Sequence, residues 1–375
     1  MNNELCRMTG AEFPLFAFSH CRDVVAAVSR AGGFGVLGGS RFTPESLAIE
    51  LDWIDQHIDG KPYGVDILVP EHQAYGAGAT VEAMSQQISP RHRQFMVDLL
   101  GSHGVSISAD EVVSKRRPPT LTDVGEALMD VAFRHPIRLI ANALGIAPAS
   151  MIERARKHGV PAAALIGAKE HAIRQVNAGV DILVAQGGEA GGHCGEVSTL
   201  VLIPEVMRAV ESTRKNVPVI AAGGIMTGGQ MAACMAMGAQ GAWTGSVWLA
   251  TPESEASATF REKMIEATSR DTIRSKARTG KPSRQLRSKW HDAWGRADSP
   301  EVLPMPLMQM LSSPALAAID KAADSGNAAA RELVTYWVGQ GVGLVDSIRS
   351  ARTVVADFKE EFAAAVGLLA AAAEP

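Results

Sequence analysis

Residues 217–246 read VPVIAAGGIMTGGQMAACMAMGAQGAWTGS, and the order of patterns within them decides the fold. An apolar run, VPVIAA, ends in Gly223-Gly224. A stretch of helical period follows over 229–237 and stops at Gly238, and a second apolar run, GAWT, ends in Gly245-Ser246. Strand, helix and strand with glycine at the joints read as a βα repeat of a parallel sheet, since parallel neighbours need a crossover and glycine ends a helix in left-handed backbone. The same unit recurs outward along the chain. Further apolar runs are FPLFAF from 13, FGVLGG from 34, YGVDILV from 63, IRLIAN from 137, VPAAALI from 160 and VDILVAQG from 180. Most are apolar without alternation, as strands covered on both faces must be. Helical periods lie between them at 23–31, 43–58, 149–158, 169–178 and 204–213, with Thr43 and Pro44 as a start signal and Gly32, Gly159 and Gly179 as stops. Eight such strands predict an α/β fold, a closed (β/α)8 TIM barrel.

Two stretches exceed a minimal barrel. Residues 70–136 carry a predicted helix over 81–100, the break KRRPP at 115–119 and a second helix over 123–134, which together read as a helical insertion after the third strand. Beyond about 251 there is no further strand pattern. Helical segments near 253–269, 314–323, 328–338 and 346–371 predict an added helical region after strand 8. The expected organisation is a barrel over 1–250 with the insertion at 70–136, a helical substrate or cap region over 251–345, and a C-terminal helix over 346–375 packing on the barrel.

With 46% hydrophobic and 20% charged residues the chain can bury a core, which excludes disorder as its main state. The 36 Lys+Arg against 40 Asp+Glu, net −4, create no general field for nucleic acid or an anionic membrane. The start, MNNELCRMTGAEF, lacks the basic and apolar regions of a secretory signal, and the apolar run over 363–373 is roughly half the ~20 residues a membrane span needs, so a cytoplasmic location is expected. Cys6, Cys21, Cys194 and Cys234 form no C-x2-C pair, and no metal site is expected.

In such a barrel the chemistry sits at the carboxyl ends of the strands, and the loops after strands 7 and 8 commonly hold phosphate. Gly223, Gly224 and Gly245 would let backbone N–H groups approach an anion, with Thr244 and Ser246 as hydroxyl donors; the plain alternative is that these glycines only make tight turns. Strand 6 runs into Gln186-Gly187-Gly188-Glu189-Ala190-Gly191-Gly192-His193-Cys194-Gly195-Glu196, a loop read as built for backbone conformations that other residues avoid. His193 is the candidate proton acceptor, weighed against a structural role, and Cys194 is a weaker candidate nucleophile because no cationic partner is visible. The stretch 272–291 holds seven Lys or Arg and no acid, and reads either as a solvated helix and loop or as a positive rim for an anionic substrate.

The combination of AGGFGVLGG (31–39), YGVDILVP (63–70), AQGGEAGGHCGE (185–196), AAGGI (221–225) and the TGS strand end resembles the nitronate monooxygenase family, formerly called 2-nitropropane dioxygenases. The likeness resumes at RTGKPSRQLRSKW (278–290), PMPLMQML (304–311) and YWVGQGVGL (336–344). The resemblance implies an FMN-dependent barrel in which Gln186 and Gly191 contact the ring and ribityl chain, Gly224 and Trp243, Thr244, Gly245 and Ser246 meet the phosphate, and His193 is the base. Two departures stand out. Asp66 occupies the place of an Asn that usually bonds the flavin, where an acceptor-only carboxylate would disfavour an anionic reduced ring. Ala17-Phe18-Ser19-His20 replaces a Gln-Ala-Pro-Met strand end, so that His20 or Ser19 is expected to face the flavin. The same loop motifs occur in flavin enoyl and quinone reductases. The resemblance therefore implies oxidation of alkyl nitronates by O2 to a carbonyl compound and nitrite, with an NAD(P)H-dependent quinone or enoyl-thioester reductase as the alternative. A non-redox phosphate-binding barrel is the second alternative. Expected partners are a small-molecule substrate and O2, with no nucleic acid and no membrane; a homodimer is left open.

Overall fold

The computed structural model describes residues 1, 3–69, 80–118 and 121–373. Eight parallel strands close into a barrel in chain order: β1 (Leu15–Ser19), β2 (Phe34–Gly38), β3 (Tyr63–Asp66), β4 (Ile140–Asn142), β5 (Ala162–Ile166), β6 (Ile182–Gln186), β7 (Val219–Ala222) and β8 (Gly241–Thr244). Closure is made by β1 against β8, with Phe16 opposite Trp243. The apolar runs serve two layers. Phe16, Val36, Ala163, Val184 and Ile220 fill the barrel interior, while their neighbours Leu37, Ala164, Leu183 and Val219 pack outward against the helices.

The interior is filled by pairing large rings with small partners. Phe16, Phe34 and Trp243 share it with Ala141, Ala163 and Ala222. Phe16 lies 4.8 Å from Phe34 and is stacked at 6.2 Å on Trp243, and Phe18 stacks on the same indole at 6.3 Å. These rings leave no pore and make a floor for whatever lies above the strand ends. A short helix, Glu4–Thr9, closes the other end by adding Leu5 and Cys6 to the same cluster. It is too short to carry a readable period.

Several boundaries differ from the sequence reading for local reasons. The single helix expected over 81–100 is two, Val81–Gln86 and Pro90–Gly101, because Ser89 caps and Pro90 starts the second. The helix expected from 204 begins at Thr199, since the Glu189 carboxylate accepts from the Thr199 amide and hydroxyl, both at 2.9 Å, and so caps it from a distant loop. The predicted helix over 123–134 is Thr122–Ala132, while 70–79 and Pro119-Thr120 of the insertion lie outside the described residues.

The chain after β8 is not purely helical. It contains an antiparallel hairpin, β9 (Thr272–Ser275) and β10 (Ser283–Leu286). Gly192 and Arg284 exchange backbone hydrogen bonds of 3.0 and 2.8 Å, which tie the hairpin to the loop after β6. The basic stretch is therefore a strand pair over the barrel mouth rather than a helix and loop. Helices Ala258–Glu266, Leu307–Asp324 and Ala328–Leu333 complete this cap. The last helix, Ala351–Ala373, lies against Gly228–Ala236 and Arg22–Arg30, where the Gly228 amide donates to Glu361 at 2.7 Å. A Cβ on Gly228 would run into the Phe358 carbonyl, so glycine is needed for this approach. Among the described residues no helix is long and apolar enough to cross a membrane.

Candidate active site

Above the aromatic floor, between the strand ends and the cap, lies a cavity of about 780 Å³. Asp66, Gln186, Gly191, His193, Gly223, Gly224, Trp243, Thr244, Gly245 and Ser246 all line it, although they come from three strands and the segments after β6, β7 and β8. At the β7–β8 side, Gly223 and Gly224 have φ of +106° and +71°, so that the chain turns sharply where a side chain would be strained. Gly245 differs. Its φ is −127°, and a Cβ built there would meet no protein atom within 4 Å. Its missing side chain leaves free a place on the cavity wall, followed by the short helix Ser246–Leu249. The Ser246 Oγ accepts from the Gly339 amide at 2.9 Å and keeps its own proton to donate. The Thr244 hydroxyl instead donates to the Phe16 carbonyl at 3.1 Å and accepts from the Trp248 indole at 2.9 Å, so it braces the strand end.

In the loop after β6, only Gly192 among the five glycines has a positive φ, +76°. The others are demanded by close approach: a Cβ on Gly191 would lie 2.8 Å from the Val338 carbonyl carbon. The expectation of unusual backbone thus gives way to tight packing under the 337–341 segment. His193 extends from this loop, its Nε2 2.8 Å from the Thr279 hydroxyl and its ring 6.3 Å from Trp337. Its accessible face lines the cavity. Although the side chain is exposed to the cavity, desolvation by the surrounding loop, reinforced by Lys281 and Arg278, lowers the imidazole pKa, so it is neutral and able to accept a proton at ordinary pH. Cys194 does have cationic neighbours, Arg274 and Arg284, but burial outweighs them and pushes its thiol up, which removes the basis for a nucleophile.

Asp66 ends β3 with 3% of its surface exposed, and its Oδ2 has no hydrogen-bond partner among the described residues. Burial without a compensating cation pushes the carboxyl up to about 7. The acceptor-only carboxylate expected from the sequence is therefore not its sole form near neutrality. Gln186, half-buried at the end of β6, faces the same space. Ser19 and His20 at the end of β1 also line the cavity; His20 donates Nδ1–H to the Gly38 carbonyl at 2.8 Å and is neutral, being held down to about 4 by burial.

The cap contributes side chains that the sequence reading left without roles. Arg278 lies 4.4 Å from the Trp337 ring and 5.0 Å from the Tyr336 ring. Arg284 donates to the Gly188 carbonyl at 3.0 and 2.8 Å, and Arg287 and Lys289 pair with Asp292 and Glu332. Arg274 and Lys281 face the cavity; Arg274 pairs with Glu196 at 3.4 Å and donates to the Cys194 carbonyl at 3.3 Å, while Lys281 has no ion-pair partner among the described residues. The basic stretch thus divides into partnered cations, exposed Lys276, and Lys281 as the unpaired positive charge on the cavity wall. Gln340 does not line the cavity; its backbone amide donates to the Glu189 carbonyl at 2.8 Å, and its neighbours Gly339 and Gly341 form the wall.

A barrel mouth that offers backbone turns to a ligand, neutral imidazoles for proton transfer and cationic side chains on its wall is that of a small-molecule enzyme. The family model described as nitronate monooxygenase matches residues 17–361, and the chain belongs to that family of oxidoreductases. Rv1533 of Mycobacterium tuberculosis, which bears a provisional monooxygenase name, is 50% identical over 373 residues, 98% of each chain. The nitroalkane oxidase of Streptomyces ansochromogenes superposes with a TM-score of 0.79 at 26% identity, covering 98% of this chain and 100% of that one. FabK from Thermotoga maritima superposes with a TM-score of 0.73 at 25% identity, covering 99% of both.

Proposed function

We propose that the protein binds FMN in the cavity and oxidises alkyl nitronates with O2, releasing a carbonyl compound and nitrite. The observation that carries this reading is the convergence on one cavity of the β7–β8 glycine turns, Gln186, Asp66 and His193. The wall fits a flavin mononucleotide: Gly245 leaves space where a side chain would stand, and Asp66 lines the cavity with a carboxyl that has an unpartnered oxygen. Gly223, Gly224, Gly245 and Ser246 would hold the phosphate, with Thr244 bracing them. Gln186, Gly191 and Asp66 would meet the ring and ribityl chain over Trp243. Bound FMN supplies electron acceptance from the substrate and electron delivery to O2.

The chain's own part is to place the substrate and move one proton. Lys281, unpaired among the described residues, puts positive charge beside a nitronate anion. With a neutral nitroalkane, His193 takes the α-proton, its ring steadied by Thr279. The hairpin and Trp337 cover the mouth and limit water. The likeness to FabK keeps an NAD(P)H-dependent reductase of a quinone or enoyl thioester as a second reading. Cofactor identity tests the first claim: the protein should purify yellow and release FMN on denaturation. Release of FAD, or a colourless protein that FMN does not restore, would remove the phosphate assignment.

A further inference from the structure

The Asp66 carboxyl is buried where, among the described residues, nothing stabilises its charge. Its strand neighbours at the same level are Gly38 on β2 and Ala141 on β4, which bring backbone only. The ionisable groups around it among the described residues are otherwise engaged. His20, at the end of β1, is neutral and bonded to the Gly38 carbonyl. Arg41, in the turn after β2, pairs with Glu255. On the helix behind β3, Glu126 is turned to Ser150 and Arg154. Across the cavity, Arg274 and Lys281 are not within ion-pair distance of Asp66. Asn142 on β4 could have donated, but its amide nitrogen is given to the Val69 and Leu144 carbonyls at 3.3 and 3.1 Å.

An ionised carboxylate left this way costs several kcal/mol, whereas the neutral acid needs only an acceptor for its O–H. Oδ2 itself is closed off and unpartnered, and the small exposed remainder of the residue lines the cavity, so the cavity is where the carboxyl can meet a ligand. We propose that Asp66 is a hydrogen-bond donor to the bound flavin, its protonated carboxyl meeting an acceptor atom of the isoalloxazine ring, so that cofactor affinity falls as this proton leaves. The inference rests on the FMN reading of the cavity and adds to it the protonation state that binds. It reverses the electronic expectation from sequence: the side chain offers a proton to the ring instead of a negative charge.

The dependence on pH follows from the fraction in the competent form. Burial holds the carboxyl at about 7 in the free site. Apparent Kd is then level below that pH and rises about tenfold per pH unit above it, about 100-fold between pH 6 and pH 9. The full-length protein, freed of flavin, is titrated with FMN across this range by quenching of flavin fluorescence, alongside Asp66→Asn. The Asn amide donates at every pH, and FMN's own ionisations affect both proteins alike, so the ratio of the two Kd values is the readout. The ratio should rise about 100-fold. A constant ratio with tight binding by both proteins overturns the inference and leaves the FMN site standing. No FMN binding by either protein at any pH overturns the site and the inference together. A wild-type measurement guards against a misfolded variant: calorimetry in two buffers of different ionisation enthalpy should show uptake of about one proton per FMN at pH 8. Absence of uptake refutes the donor role.

Discussion

Gly245 offers a direct probe of the phosphate wall, because a side chain added there disturbs a ligand and not the protein. Its φ is negative and its Cβ would touch no protein atom within 4 Å, so Gly245→Ala should fold normally. Gly245→Asp places a carboxylate at the end of β8. At ~4.5 Å and an effective dielectric constant of about 20, each pair of unit charges repels by about 3.7 kcal/mol. A phosphate of about −1.5 charge raises this to ~5 kcal/mol, and screening at a solvent-connected mouth roughly halves it. The expected loss is about 3 kcal/mol, or about 150-fold in FMN Kd. Titration of flavin-free protein with FMN and with riboflavin reads the effect. Riboflavin, lacking the phosphate, should bind both proteins with similar affinity, and the thermal midpoint without flavin should be unchanged. Wild-type FMN affinity in Gly245→Asp would refute the placement of the phosphate between β7 and β8.

Other outcomes follow from the same geometry. His193→Asn should reduce turnover of a neutral nitroalkane by about 10²- to 10⁴-fold, while pre-formed nitronate is largely spared and flavin content stays normal; steady-state oxygen uptake with both substrates checks this. Because desolvation by the surrounding loop and the charges of Lys281 and Arg278 lower the His193 pKa to about 4, the imidazole is already a free base above that value. Nitroalkane turnover should therefore be insensitive to His193 ionisation above pH ~5 and fall only as pH drops through about 4, which an acid-limb pH profile of kcat/KM reads. Lys281→Ala should raise KM for a nitronate about tenfold at low salt and by less at high salt, since an exposed cation acts by a screened field.

The barrel was legible because its punctuation is local. Runs such as VDILVAQG and VPVIAAGG need only their own apolar residues and terminal glycines to declare a buried strand and its turn, and closure follows from the number of strands. The wall residues inherited that legibility, since Gln186, Gly224 and Gly245 sit at or just beyond strand ends. What escaped depends on distant partners. The hairpin strands have four residues each, too few to show a period, and are held by the loop after β6 and by Trp337. The start of the Thr199–Ser212 helix is fixed by Glu189, which no capping pattern reveals. Thr279 meets His193 from 86 positions away. The raised pKa of Asp66 was not legible for the same reason: it comes from burial in the assembled site, without a compensating cation on the surrounding strands.

The central claim is that this cavity passes electrons from a nitronate to oxygen. The most direct measurement compares two reactions of the same flavin-loaded preparation: aerobic oxygen uptake and nitrite release with an alkyl nitronate, and anaerobic flavin bleaching by NADH or NADPH with and without a quinone. The account predicts oxygen uptake accompanied by nitrite with the nitronate, and slow bleaching by either nicotinamide. Rapid bleaching by a nicotinamide, with no nitrite from the nitronate, would contradict it and assign the cavity to a reductase.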